Sequence, residues 1–235
     1  MRTLAVVPIK TLTTAKQRLA GTLASGARKS LVEAMFSDVL ASLRHSRRVD
    51  HIAVVTADVV AEALAHGDGV TVLRDDRQDG QSAAALIGIR YAVASSYDRV
   101  VLVPGDTPLL DSGELDGLLD RCAADELAVG VVPDRHGTGT NALVLTPPDA
   151  MAPSFGPNSL ARHVELAGDA GVSHRVEQVA SLANDVDTSD DLEAVATLLA
   201  NSRVLGPRTS GALRQLERSG AWHTRVPEVP ASLQV

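Results

Sequence analysis

TLAVVPIKTLTTAKQRLA, residues 3–20, sets how the rest of the chain is read. Its first seven residues are a continuous apolar run rich in β-branched side chains, the pattern of a strand buried on both faces. Such a strand needs a layer above it and a layer below, so helices must cover both sides of a sheet. Three cations follow within nine residues, Lys10, Lys16 and Arg18, and no glycine appears before Gly21. A loop leaving the carboxyl end of a buried parallel strand lies where α/β sheets bind ligands. Phosphate loops at that place usually offer glycine backbone; this one offers ammonium and guanidinium groups.

Outward from that stretch the alternation repeats. HIAVVT (51–56), VTVL (70–73) and RVVLVPGD (99–106) read as further buried strands. Leu31, Met35, Val39, Leu40 and Leu43 recur with helical spacing within 27–45, and shorter helices are expected near 58–66, 81–95 and 112–124. LAVGVVPD (127–134) and TNALVLTP (140–147) are strand-like runs separated by RHGTG. A helix is expected after Ser159, a strand near 172–179 and a helix over 189–200. Pro207 and Gly211 predict a break before a last short helix. The pattern is α/β, a mostly parallel central sheet with helices on both faces. No repeat or low-complexity linker divides it, so one domain over 1–218 is expected, with 219–235 as a C-terminal tail. That tail holds Trp222 and two prolines and could pack on a neighbouring subunit in a homodimer.

Composition narrows the class. Apolar residues make up 45% of the chain but aromatics only 2%, so the core must be built from Val, Leu, Ala and Ile. The net charge of −7 argues against a general nucleic-acid surface. A single cysteine, Cys122, excludes an internal disulfide and a cysteine-based zinc cluster. No apolar stretch reaches the length of a membrane span and no signal-peptide core opens the sequence, so a cytoplasmic protein with no membrane partner is expected. The charge is unevenly spread: no acid precedes Glu33, and the chain's three lysines, Lys10, Lys16 and Lys29, all lie before it. Lysine is a compact point charge on a flexible stem, which suits a phosphate clamp; a solvated helix start accounts for the same cations.

Four more stretches carry candidate chemistry. In PGDTPLL (104–110), Gly105 permits a tight path and Asp106 projects from a strand end, either to cap a helix or to hold Mg²⁺. NDVDTSDDLEAV (184–195) places Asp185 and Asp187 at alternate positions before a helix, ahead of the residues suited to capping it. DRHGTGTNAL (134–143) has hairpin glycines, but a hairpin does not require Thr138 and Thr140, whose hydroxyls and N–H groups could receive an anion. FGPNSLARH (155–163) sets Gly156, Asn158 and Ser159 at a helix start with Arg162 and His163 one turn inside, a cap or an anion seat beside the arginine. No Ser-His-Asp order, HExxH or P-loop is present.

Together, VPIK…AKQRL, GDTPLL, DRHGTGTNAL, FGPNSLARH and DVDTSDDL resemble, in order and approximate spacing, the guanylyltransferases of coenzyme F-420 biosynthesis. The likeness covers about residues 4–200, and the pairing of GTGTN with FGPNS is its most specific part. It implies a nucleotidyltransferase fold of the nucleotide-diphospho-sugar transferase type. It also implies transfer of GMP from GTP to phosphoenolpyruvate or 2-phospho-L-lactate, with loss of pyrophosphate. Carried over by position, the catalytic residues would be Lys16, Asp106 and Asp187, with Asp106, Asp187 and Asp185 holding Mg²⁺. Pro8, Lys10, Lys16, Arg18 and Gln81 would bind GTP, and the 75–82 loop lies where a base-binding segment is expected, with no residue assigned to guanine; Thr140, Gly156 and Ser159 would bind the phosphoacid. The Ala-rich, arginine-over-lysine composition favours the bacterial branch and phosphoenolpyruvate. A related transferase acting on a sugar phosphate, and a non-catalytic nucleotide sensor, are the competing readings.

Overall fold

The computed structural model describes residues 1–12, 16–67, 69–202 and 204–222. Its strands are β1 (Thr3–Pro8), β2 (His51–Thr56), β3 (Thr71–Arg74), β4 (Arg99–Leu102), β5 (Val129–Pro133), β6 (Thr140–Leu145) and β7 (His174–Val176). They form one sheet in the order β3-β2-β1-β4-β6-β5-β7. β1 pairs in parallel with both β2 and β4, while β6 runs antiparallel to β4 and β5. The sheet is therefore mostly parallel, and the 134–139 hairpin supplies its one reversed strand. From β1 the chain builds outward first through β2 and β3, then on the other side through β4. The order reverses beside β1, and ligands bind outside the strand ends at such a point.

The helices are α1 (Ser25–His45), α2 (Val59–Gly67), α3 (Gln81–Ala94), α4 (Ser112–Ala124), α5 (Ser159–Asp169), α6 (Ser189–Ala200) and α7 (Pro207–Arg218). β1 alternates its side chains between two cores, as a strand buried on both faces must. Ala5 and Val7 meet Met35, Phe36, Val39 and Leu40 of α1 on one side. Leu4 and Val6 meet Ala85, Ile89 and Ala92 of α3 on the other. α3 lies so close to β1 that a Cβ on Gly88 would overlap the side chain of Val6. A core poor in aromatic residues is thus packed by bringing backbones together. Cys122, on α4, is a packing residue: it is buried, and a Cβ on Gly130 of β5 would come within 2.8 Å of its sulfur.

Two expectations about the C-terminal region are corrected. Pro207 and Gly211 make no break, because Pro207 opens α7 and Gly211 lies inside it. Proline suits the first helical position, where its fixed φ is helical and its missing N–H is not needed. The start of α7 is held by Asp38 of α1, a buried carboxylate that accepts from Thr209 N–H at 2.7 Å and Arg208 N–H at 3.1 Å. Trp222 is buried as part of the larger core cluster instead of offering an apolar surface to a neighbour. The two prolines of the tail lie outside the described residues. No helix among the described residues is long and apolar enough to cross a membrane.

Candidate active site

A cavity of about 560 Å³ opens at the carboxyl ends of β1 and β4. Each site residue expected from the sequence lines it: Pro8, Lys10, Lys16, Arg18, Gln81 and Asp106 from the first half of the chain, and Thr140, Gly156, Ser159, Asp185 and Asp187 from the second. Positions 8 and 187 thus meet in one place.

The charged centre is Lys16. It sits in the left-handed backbone region, φ 58°, and its ammonium donates to Asp106 Oδ2 and, at 2.7 Å, to Asp187 Oδ1. Burial alone would lower its pKa, but the Asp106 and Asp187 carboxylates outweigh that and hold the ammonium more strongly protonated than usual. Gly105 stands beside it for lack of room: a Cβ there would occupy the place of Ile9 Cδ1, so its role is close approach and not an unusual φ.

Asp185 and Asp187 project to the same side because Val186 between them is fully buried and its N–H donates to Asp106 C=O at 3.2 Å. Thr188 caps α6 and forms a capping box with Asp191, whose Oδ2 also accepts from the Asp187 N–H at 3.1 Å. Arg135 from the hairpin clamps Asp191 Oδ1 at 2.6 Å. Helix capping and site building are therefore one structure, with the cap fixing the peptide that carries Asp187. Asp185 accepts from Asn141 Nδ2 at 3.1 Å. Burial, then the nearby Asp106 charge and, after the opposing Asn141 bond, that of Asp187, push its carboxyl up to about 6. Three carboxylates thus converge on one ammonium, which leaves the centre short of positive charge.

At the other end of the cavity Pro8, Ile9, Leu12 and Ala84 make an apolar wall. Gln81 opens α3 there, after Gly80 at φ 106°. Lys10 and Arg18 are exposed at the rim. Asp75 is buried against this wall, and its Oδ1 accepts from Gln78 N–H at 3.0 Å; no described residue donates to its Oδ2.

Around Thr140 the arrangement differs from a simple anion seat. Ser159 is the first residue of α5 and not its cap; Asn158 holds the cap position at φ 57°. The Ser159 hydroxyl is buried and accepts from Thr140 N–H at 2.9 Å. The Thr138 N–H is taken by Asp134 Oδ1 at 2.9 Å. Arg162 does not line the cavity. Its guanidinium binds the Ser154 and Pro157 carbonyls and the Ser154 hydroxyl, bracing the turn that carries Gly156. The sequence assigns no individual role to three side chains of this region: Asp75, Asn141 and His163. Asn141 and His163 stood inside quoted motifs, but only the fold shows what they touch.

The sheet order and a lysine–carboxylate centre at the switch point define a nucleotidyltransferase-like α/β protein. The solved structures agree in fold. A Desulfovibrio desulfuricans protein assigned to the nucleotide-diphospho-sugar transferases superposes with a TM-score of 0.73 at 18% identity, over 93% of this chain and 96% of that one. A cytidylyltransferase from Leptospira borgpetersenii superposes with a TM-score of 0.62 at 15% identity, over 96% and 98%. Residues 3–201 match the family described as "Guanylyl transferase CofC like", and the chain belongs to that family. It is 45% identical to the phosphoenolpyruvate guanylyltransferase of Conexibacter woesei, over 93% of this chain and 98% of that protein. It is 33% identical to the 2-phospho-L-lactate guanylyltransferase of Methanothermobacter thermautotrophicus, over 82% and 83%.

Proposed function

We propose that the protein transfers the guanylyl group of GTP to the phosphate of phosphoenolpyruvate, giving enolpyruvoyl-2-diphospho-5'-guanosine and pyrophosphate in coenzyme F-420 biosynthesis. One observation carries the reading: Lys16, Asp106 and Asp187 meet at the crevice beside β1, in a chain nearly half identical to a phosphoenolpyruvate guanylyltransferase. A phosphate oxygen of the phosphoacid attacks the α-phosphorus of GTP, and the bond from that phosphorus to the β-phosphate oxygen breaks. The nucleophile is already an anion, so no general base is needed. The enzyme must align two anions and offset their repulsion.

The residues fit a magnesium ion. Mg²⁺ prefers oxygen donors and is held by one or two carboxylates plus substrate phosphates, not by an all-protein cage. Asp106 and Asp187 would hold it, with Asp185 beside them, and the local excess of negative charge favours a cation there. When bound, magnesium supplies neutralisation at the phosphoryl oxygens. Lys16 keeps the two carboxylates in place and turns its charge to the triphosphate, with Lys10 and Arg18 at the rim. Thr140, Gly156 and Ser159 form the phosphoacid wall.

Asp75 is the guanine reader in this proposal. Guanine alone among the common bases shows two adjacent donors, N1–H and N2–H₂, and a carboxylate accepts both. The apolar wall of Ile9, Leu12 and Ala84 seats the ring beside it.

The test is pyrophosphate release with Mg²⁺ and GTP, offered phosphoenolpyruvate and 2-phospho-L-lactate in separate reactions. Faster release with phosphoenolpyruvate is expected; silence with both substrates overturns the reading.

A further inference from the structure

We propose that His163 is a positioning residue for the phosphoacid subsite: it holds the Thr140 hydroxyl from behind, so that Thr140 and Ser159 both offer their hydroxyl protons to an oxyanion in the cavity. This rests on the function proposed above.

His163 is fully buried, and both of its ring nitrogens are engaged. The Ser154 backbone N–H donates to Nε2 at 2.8 Å. A backbone N–H can only donate, so Nε2 carries a lone pair and Nδ1 carries the ring proton. Nδ1 lies 2.9 Å from Thr140 Oγ1, which must therefore accept. The hydroxyl's own proton finds no acceptor among the described residues. Ser159 is set in the same way one step along: its oxygen accepts from the Thr140 N–H at 2.9 Å, leaving its proton for the cavity. Both residues line that cavity.

The groups facing the ring keep it neutral. Phe155 meets it edge to face at 5.1 Å between centroids, and Arg162 is the adjacent cation. Burial, with Arg162 second, pulls the imidazole down to about 4. A doubly protonated ring would set Nε2–H against the Ser154 N–H and undo the arrangement.

The chemistry has a reason to be uncharged. The phosphoacid must be oriented, yet the phosphate oxygen that attacks must keep its negative charge. Neutral hydroxyls, held with their protons outward, orient an oxyanion without forming an ion pair that would quench its nucleophilicity. The cations are left to the triphosphate end of the site.

Steady-state kinetics on His163→Gln and His163→Asn test this. Asn keeps a donor near the Nδ1 position and Gln keeps an acceptor near Nε2. His163→Gln is expected to raise the KM for phosphoenolpyruvate by about tenfold or more, with the KM for GTP little changed; His163→Asn should stay within a few-fold of wild type. Adding Thr140→Val to His163→Gln should cost little beyond Thr140→Val alone, as for two parts of one unit. Equal losses in the Gln and Asn variants, a parallel rise in the GTP KM, or additive losses in the double variant would each overturn the assignment. If neither His163 variant folds, Thr140→Ser against Thr140→Val poses the same question: activity kept by Ser and lost by Val supports the outward hydroxyl, and equal activity overturns it. Turnover by wild type that His163→Gln leaves unchanged defeats this proposal alone. No turnover of either phosphoacid by wild type defeats the functional reading itself.

Discussion

Lys16 Nζ lies 2.7 Å from Asp187 Oδ1, across 171 positions of sequence, and binds Asp106 at the same time. One ammonium thus ties the loop after β1 to the loops before α4 and α6. Removing it takes away both a triphosphate contact and the tie. Lys16→Ala is expected to lower kcat/KM by at least about a hundredfold with the far-UV spectrum unchanged. Lys16→Arg should recover only part, because the planar guanidinium replaces a point charge between two carboxylates. Pyrophosphate release by the two variants checks this; near-normal turnover in the alanine variant would remove Lys16 from the clamp.

Asp75 offers a base-specificity switch. Asp75→Asn puts a donor where guanine needs acceptors, so kcat/KM for GTP should fall about tenfold or more. Xanthosine triphosphate, which carries a carbonyl where guanine has its amino group, should gain in the same variant. Parallel assays with the two nucleotides decide the matter. An Asp75→Asn enzyme that keeps its preference for GTP would show that guanine is read elsewhere.

The depressed pKa of His163 makes a stability prediction with a fixed sign. In the folded chain the ring stays neutral down to about 4, whereas the unfolded ring protonates near 6.5. The unfolded state therefore binds the extra proton between those values. This contribution is complete above about pH 6.5 and is lost as the pH falls towards 4. It amounts to ~3 kcal/mol at most. Thermal melts of wild type and His163→Asn between pH 4.5 and 8 should show a steeper fall on the acid side for wild type. Identical slopes would mean that the ring is not buried neutral.

Asp38 predicts a loss of stability without a loss of chemistry. It is buried, accepts from two backbone N–H groups at the start of α7, and does not line the cavity. Asp38→Ala leaves those donors without a partner and should cost about 1–3 kcal/mol. Urea denaturation measures the cost, and pyrophosphate release at 20 °C should remain near wild type.

How much could be read beforehand depended on the distance over which each signal acts. The apolar run at 3–9 and the helical spacing across α1 are local, and they located strand and helix within a residue or two. The carboxylates of the 104–110 and 184–195 motifs were legible because strand ends and helix starts both point at the crevice. Asp38 and Asp75 were not. Their partners are backbone N–H groups, which leave no trace in a list of side chains, and Asp38 finds its partners 170 positions away. Pro207 misled for a related reason: a proline marks the start of a helix as well as an end, and only the cap distinguishes the two. Arg162 read as an anion ligand from its place one turn into α5, but its guanidinium folds back onto the Ser154–Pro157 turn.

The Val186 N–H bond to the Asp106 carbonyl also bears on the order of events during synthesis. Lys16 and Asp187 lie 171 positions apart, so the lysine of the crevice is made long before its last acidic residue. Closure of such a distant loop is slow compared with pairing of β1 and β2. A fragment ending before Asp185 would contain all seven described strands and five of the seven described α-helices, but Lys16 would still lack one of its two partners. Nascent chains arrested there are expected to be compact and catalytically silent, so the sheet is assembled well before the enzyme.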